Sequence, residues 1–354
     1  MNSQNEMNGQ VKSKLDFADI LGQNNAKYAL MVAAAGGHHI LLVGPPGVGK
    51  TMLASALPTI LPDLDYEESL QVTSIHSIAG KQLNSLIKDV QFISPHNTAT
   101  AAAVIGGGSA NRILPGAVSL AHKGILFLDE APEFSPAVLQ TLRQPLESGV
   151  ITIDRAAKSV TYPANFQLVM ACNPCPCGMS YNKGVNCVCS SLQKRRYFAK
   201  LSGPLLDRID IQIVVTNISK KELNMFKNKS SKNKSDENIM TSQYMKEKVF
   251  QARQRAKKRL QNTPWKLNSQ VPGSALRPLF EKYFANSQKA ILADLERLVS
   301  KGVLSLRGLD RALRIAFSIA DLSDEADLLD EKASEQAFSG QAIEQALFYR
   351  TRLK

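Results

Sequence analysis

The run 44-GPPGVGKT-51 sets glycines, one lysine and one hydroxyl at the spacing G-x-x-x-x-G-K-[ST]. Such a run wraps phosphates. Its glycines let backbone N–H groups turn inward, and the helix that follows presents its positive end to the anion. On this reading Gly44, Pro45, Pro46, Gly47, Val48, Gly49 and Met52 form the cradle for ATP. Lys50 reaches the β- and γ-phosphates and the Thr51 hydroxyl ligates Mg²⁺. A second run, 125-ILFLDE-130, ends an apolar stretch in two carboxylates. Asp129 would stand beside the metal and Glu130 would polarise the attacking water, so the two motifs together point to ATP hydrolysis. A third apolar run, 167-QLVMAC-172, leads into Asn173. Where such a strand lies between the two motif strands, a polar residue at its end helps position water near the γ-phosphate. A turn cap is the other reading, because Asn-Pro favours turns.

All five cysteines fall between Cys172 and Cys189. Cys172 belongs to the apolar run and reads as core. Cys175-x-Cys177 and Cys187-x-Cys189 form two pairs around a loop containing Gly178, Gly184 and Asn186. Four thiolates suit a tetrahedral, structural Zn²⁺ and leave no open position for catalysis. The C-x-C spacing is tighter than the usual C-x₂-C, and a redox pair or plain thiols are the alternatives.

These groups need elements to hold them. The runs 40-ILLVG-44, 125-ILFLD-129 and 167-QLVMAC-172 are short and apolar on both faces, as buried strands of a mostly parallel sheet are. The segment 26-AKYALMVAAAGG-37 reads as a helix closed by glycine. The segment 149-GVITIDRAAKSVTYP-163 alternates apolar and polar residues about a polar turn, a hairpin pattern. Beyond it, 219-SKKELNMFKNKSSKNKSDEN-238 has too few large apolar residues to bury much surface. Helical spacing then recurs over 246–260, 288–302, 306–323 and 332–350. The chain thus divides into a polar tail (1–14), an α/β ATPase core (15–217), a Lys/Asn/Ser-rich linker (218–245) and a small all-α lid (246–354).

Composition narrows the partners. The 354 residues are 44% hydrophobic, enough for a substantial core. No run of about eighteen apolar residues exists to span a membrane. The start is polar and lacks an apolar signal segment, so the chain reads as cytoplasmic, where clustered cysteines favour metal or redox chemistry over disulfides. Net charge is +12, and Lys220 to Arg259 holds thirteen basic residues against four acidic ones. Such a block can hold a polyanion through its phosphates; a solvated linker is the plainer reading.

In order, GPPGVGKT, 94-SPHNT-98, 105-IGGGS-109, 114-LPGAVSLAHKGILFLDE-130, 145-PLESGVITIDR-155, 171-ACNPCPCG-178 and 203-GPLLDRIDI-211 resemble the magnesium-chelatase-like AAA+ proteins. The likeness is closer to the ComM (YifB) branch and runs from about Leu15 to Arg350. It implies a P-loop AAA+ core with an α-helical lid, and a hexameric, ATP-driven DNA helicase that migrates branches in natural transformation. It also implies roles for single residues. Arg208, in LLDRID, corresponds to the arginine finger that reaches a neighbouring subunit's γ-phosphate; an ordinary surface pair with Asp207 is the other reading. Arg307 corresponds to the second sensor of the lid, with Arg311 and Arg314 on nearby turns. Arg143 faces either a neighbour's nucleotide or solvent. Arg155 and Lys158, at the hairpin tip, would grip DNA phosphates in a central pore, or stand solvated. The family's paired histidines are His96-Asn97 here, and a lone His96 reads as a satisfied loop histidine. ComM-type chains usually carry a Lon-protease-like domain upstream, so this chain reads as a shortened relative. Two other functions stay open: an ATPase driving metal insertion into a porphyrin, and a nucleotide-binding element without motor output.

Overall fold

Five parallel strands form the central sheet of the computed structural model, which describes residues 15–109, 112–155, 158–181, 186–201, 203–218, 240–283, 286–323 and 340–351. The expected tail, most of the expected linker and the start of the helix expected over 332–350 lie outside those residues. In chain order the described strands are β1 (Ile40–Val43), β2 (Phe92–Ile93), β3 (Gly106–Ser109), β4 (Arg112–Pro115), β5 (Ile125–Leu128), β6 (Val150–Arg155), β7 (Lys158–Pro163), β8 (Gln167–Cys172) and β9 (Ile211–Val214). The sheet runs β2-β5-β8-β1-β9. The strand leading to Asn173 therefore lies between the strands that carry the two nucleotide motifs. Val43 is level with Cys172 and Leu128 with Met170, so the phosphate loop, Asp129 and Asn173 leave the same edge of the sheet. Ligands of open α/β sheets bind at that C-terminal edge.

The sheet is buried on both faces, which is why its strands read as continuous apolar runs. Ile40, Leu42, Phe127, Val169 and Ala171 face one layer, with helix α1 (Asn24–Gly36) and later helices. Leu41, Val43, Leu126, Leu128 and Met170 face the other, with Val118, Val138 and Leu142. α1 ends as expected: Gly37 takes the left-handed conformation and its N–H returns to the Ala33 carbonyl. The result is the α/β P-loop AAA+ core, followed by helices Ser242–Arg259, Gly273–Tyr283, Asn286–Ser300, Leu306–Leu322 and Gly340–Thr351.

Several elements escaped the sequence pattern, among them helices Tyr66–Ile78 and Ser191–Ala199 and strand β9. The hairpin of β3 and β4 begins with three glycines and shows no apolar alternation. Helix Gly273–Tyr283 contains Pro278, which breaks a helical reading. β2 is only two residues long.

A buried polar chain ties the sheet to the C-terminal helices. His38 Nδ1 lies 3.0 Å from Asp210 Oδ2, and its Nε2 lies 2.8 Å from Ser318 Oγ. Asn268 donates to Ser318 Oγ and to Asp321 Oδ2, both at 2.9 Å, and Arg259 pairs with both Asp321 oxygens. Arg259 and Asp321 are almost wholly buried, with side chains 1% exposed. Asp321→Ala removes Arg259's buried counter-charge and an acceptor of Asn268, and is expected to cost about 3–5 kcal/mol. A urea midpoint within error of wild type contradicts this.

The same helix qualifies the basic block. Arg253 donates to the Ala34 carbonyl at the end of α1, Arg255 donates to the Asp321 and Ser323 carbonyls, and Lys246 pairs with Asp63. With Arg259, four basic residues of Ser242–Arg259 serve packing and helix ends rather than a free cationic face.

Candidate functional site

At the C-terminal edge of β1 the chain turns through Gly47 (φ 76°) and Gly49 (φ 90°), conformations that favour glycine. Nothing lies within 4 Å of where a Cβ would stand on either. That open, amide-lined loop leads into helix α2 (Lys50–Ala56) and fits the phosphate cradle expected of residues Gly44 to Met52. Lys50 is buried, and its Nζ donates to the carbonyls of Gly44 at 2.7 Å and Pro45 at 2.8 Å and to Asn173 Oδ1 at 3.2 Å. Burial lowers its pKa, opposed by the nearby carboxylates Asp129 and Glu130. Phosphate oxygens compete for the same three donors.

The acidic side of the site is equally close. Thr51 Oγ1 donates to Asp129 Oδ2 at 2.7 Å, so the hydroxyl and carboxylate expected to hold Mg²⁺ already touch. Glu130 takes a left-handed backbone (φ 50°), its N–H donating to Asp129 Oδ1 at 2.9 Å. Its carboxylate accepts from Asn97 Nδ2 at 3.0 Å. The sequence pattern missed Asn97, which follows β2; only the pairing of β2 with β5 brings it to Glu130. His96 bonds the neighbouring Thr98 hydroxyl at 2.8 Å, a satisfied loop histidine.

Two family models match the chain: magnesium chelatase, subunit ChlI, over residues 16–223, and the C-terminal part of the same subunit over 239–340. The chain belongs to the magnesium-chelatase family. Within it, the ComM/YifB type is shown by relatives that match over nearly the whole of this chain. An uncharacterized protein of Mycobacterium tuberculosis is 43% identical over 330 residues, covering 92% of this chain and 62% of that one. YifB of Escherichia coli is 38% identical over 339 residues (96% and 62%), and the competence protein ComM of Haemophilus influenzae 39% over 325 (92% and 60%). The chain thus spans about three fifths of the length of these relatives.

The arginines that the ComM/YifB resemblance singles out lie together. Arg208 donates to the Pro204 carbonyl and pairs with Glu147, rather than with the adjacent Asp207. Asp207 instead faces Arg307 at 3.8 Å and Arg311 at 3.9 Å. Burial lowers the pKa of Arg208, and so do the nearby charges of Arg143 and Arg307. Among the three lid arginines, Arg311 is buried against Asp207 and Asp210, and Arg314 donates to the Val271 carbonyl. Arg307, with its side chain 79% exposed, is the one that presents its guanidinium outward.

Two hairpins stand side by side. β6 and β7 pair antiparallel from Val150–Pro163 to Arg155–Lys158, as the alternation predicts. Tyr162 donates its hydroxyl to the Ile113 carbonyl at 2.7 Å, and a Cβ on Gly107 would stand 3.2 Å from Arg155 Nη2. Arg112, Arg155 and Lys158 are exposed on this pair of hairpins.

The four later cysteines converge. Sulfur separations are 3.4 Å for Cys175–Cys177, 3.6 Å for Cys175–Cys187 and 3.7 Å for Cys177–Cys187, and all four sulfurs, Cys189 included, lie within 4.8 Å of one another. Tetrahedral Zn²⁺ with Zn–S near 2.3 Å places its ligand sulfurs about 3.8 Å apart, so the donor set fits that ion. The Met179 N–H pulls the Cys177 thiol down to about 6, while burial raises Cys175 to about 11. Cys172 is buried in β8, its thiol pushed up to about 12.

Proposed function

We propose that the chain is an ATP-hydrolysing AAA+ motor of the ComM type, working as a homo-oligomeric ring, a hexamer, on branched or single-stranded DNA. The observation that carries this is the convergence of Lys50, the Thr51–Asp129 pair, Glu130 and Asn173 at one sheet edge. Thr51 and Asp129 would hold Mg²⁺, which would supply positive charge to the phosphates. Lys50 neutralises the same oxygens. Glu130, once its carboxylate leaves Asn97, orients the attacking water and takes its proton, and Asn173 helps position that water near the γ-phosphate. Arg208 of one subunit completes the site of the next, and Arg307 closes the lid over it. Cys175, Cys177, Cys187 and Cys189 would hold a structural Zn²⁺.

DNA as the substrate is supported by the exposed Arg112, Arg155 and Lys158 on the paired hairpins, because such cations position a backbone without reading sequence. The printed name of the Haemophilus relative, a competence protein, agrees with it. Forked DNA is expected to raise the ATPase rate several-fold, and Arg155→Ala/Lys158→Ala to lose most of that stimulation. No stimulation, and no unwinding by purified rings, overturns the motor reading. The magnesium-chelatase family models favour a second reading, metal insertion into a porphyrin. ATPase stimulated by a porphyrin-binding partner and indifferent to DNA selects it.

A further inference from the structure

The segment from Asn173 to Ser190 contains no helix or strand among its described residues, yet it lies directly on the nucleotide site. Its anchor is Gly178. The Gly178 N–H donates to the Cys175 carbonyl at 2.9 Å, closing a turn, and its φ is 78°. A Cβ there would stand 2.7 Å from Cδ and 3.3 Å from Cγ of Pro46, in the phosphate loop, and 3.8 Å from Cγ of Asn173. Backbone therefore packs straight onto a rigid proline ring that cannot rotate away. On the other side, the Gly44 N–H donates to the Cys172 carbonyl at 3.1 Å. The far end of the segment returns as well: Ser190 caps helix Ser191–Ala199, and that helix brings the Tyr197 hydroxyl to the Asn173 backbone. Only Pro174 separates Asn173 from the first clustered sulfur.

An irregular loop of this kind holds a fixed path only if something offsets its conformational entropy, and a four-thiolate metal cross-link does so. We propose that Zn²⁺ on the four cysteines acts as a clamp on the phosphate loop: it holds Gly178 against Pro46 and Asn173 against Lys50, so that nucleotide affinity depends on zinc occupancy. The inference rests on the zinc reading given above and adds the dependence of the nucleotide site on it. Gly178, Pro174 and the cysteines are positioning residues in this scheme, since they act through Pro46, Asn173 and Lys50.

The test uses the full chain purified without chelators, with zinc measured by elemental analysis and ATP affinity by titration. One zinc per chain is expected. Stripping it, or replacing Cys175→Ser/Cys187→Ser, is expected to weaken ATP binding about tenfold or more, and added Zn²⁺ to restore the stripped wild type. Gly178→Ala keeps all four sulfurs and breaks the contact with Pro46, so it is expected to retain zinc while ATP binding weakens. A chain without zinc overturns the zinc reading and the clamp with it. Zinc present, with unchanged ATP affinity in the stripped and Gly178→Ala proteins, overturns the clamp and leaves the zinc site standing. Should circular dichroism show the stripped chain or the double variant unfolded, the single variant Cys189→Ser decides: wild-type ATP affinity after zinc is lost overturns the clamp. A zinc-loaded wild type that binds no ATP overturns the ATPase reading instead.

Discussion

Lys50→Ala is expected to abolish tight ATP binding and to lower hydrolysis by about 10²–10³-fold or more, the effect of removing a preorganised charge from a phosphoryl-transfer site. The structure explains why no neighbour replaces it. The Lys50 ammonium sits where the carbonyls of Gly44 and Pro45 and the amide oxygen of Asn173 converge, and these are acceptors, which repel phosphate. Arginine is no substitute, because a planar guanidinium does not fit a point defined by three converging acceptors. The fold is expected to survive, since those acceptors border an open cradle where water can replace the ammonium. Nucleotide titration and phosphate release, beside a thermal melt, check both halves. Wild-type hydrolysis by Lys50→Ala places the nucleotide site elsewhere.

Arg208→Ala has a different signature: nucleotide binding close to wild type, and hydrolysis reduced by about 10³-fold or more, as for arginine fingers supplied in trans. Arg208 leans on Glu147 and the Pro204 carbonyl, neither of which belongs to the subunit's own phosphate loop. Its neighbours Arg143 and Arg307 crowd positive charge around it, a surface suited to a triphosphate brought by another subunit. Subunit mixing separates cis from trans. Lys50→Ala and Arg208→Ala subunits are each nearly inactive alone. Mixed in equal amounts in a head-to-tail ring, they reconstitute intact interfaces at about a quarter of positions. Recovered activity near that level supports the assignment. No recovery from mixed rings of proven composition, or an Arg208→Ala protein that hydrolyses ATP normally, removes Arg208 from the role.

What was legible beforehand follows from distance along the chain. The phosphate loop is made of consecutive residues, so its spacing alone carries its geometry, and Gly47 and Gly49 adopt the conformations that spacing demands. β1, β5 and β8 were readable because burial on both faces leaves unbroken apolar runs. The hairpin of β6 and β7 was readable because alternation is a local signal. The glycine hairpin of β3 and β4 and the helix around Pro278 were not, since both are held by packing against the propensity of their residues.

Sequence by itself determined the chemistry available here: a lysine, a hydroxyl, two carboxylates and an asparagine at the ends of three buried strands, with four thiols behind the last. Only the tertiary structure decided which of these groups touch. The order β2-β5-β8-β1-β9 sets Asn97 on Glu130 and Asn173 on Lys50. The packing of helices and loops assigns Glu147 to Arg208, and Asp321 to Arg259 in a buried pair far apart in the chain. It also lays the cysteine loop on Pro46. Each is a contact between segments joined by long connections. Their distance depends on how strands stack and helices pack, a property of the assembled layers that no local spacing encodes.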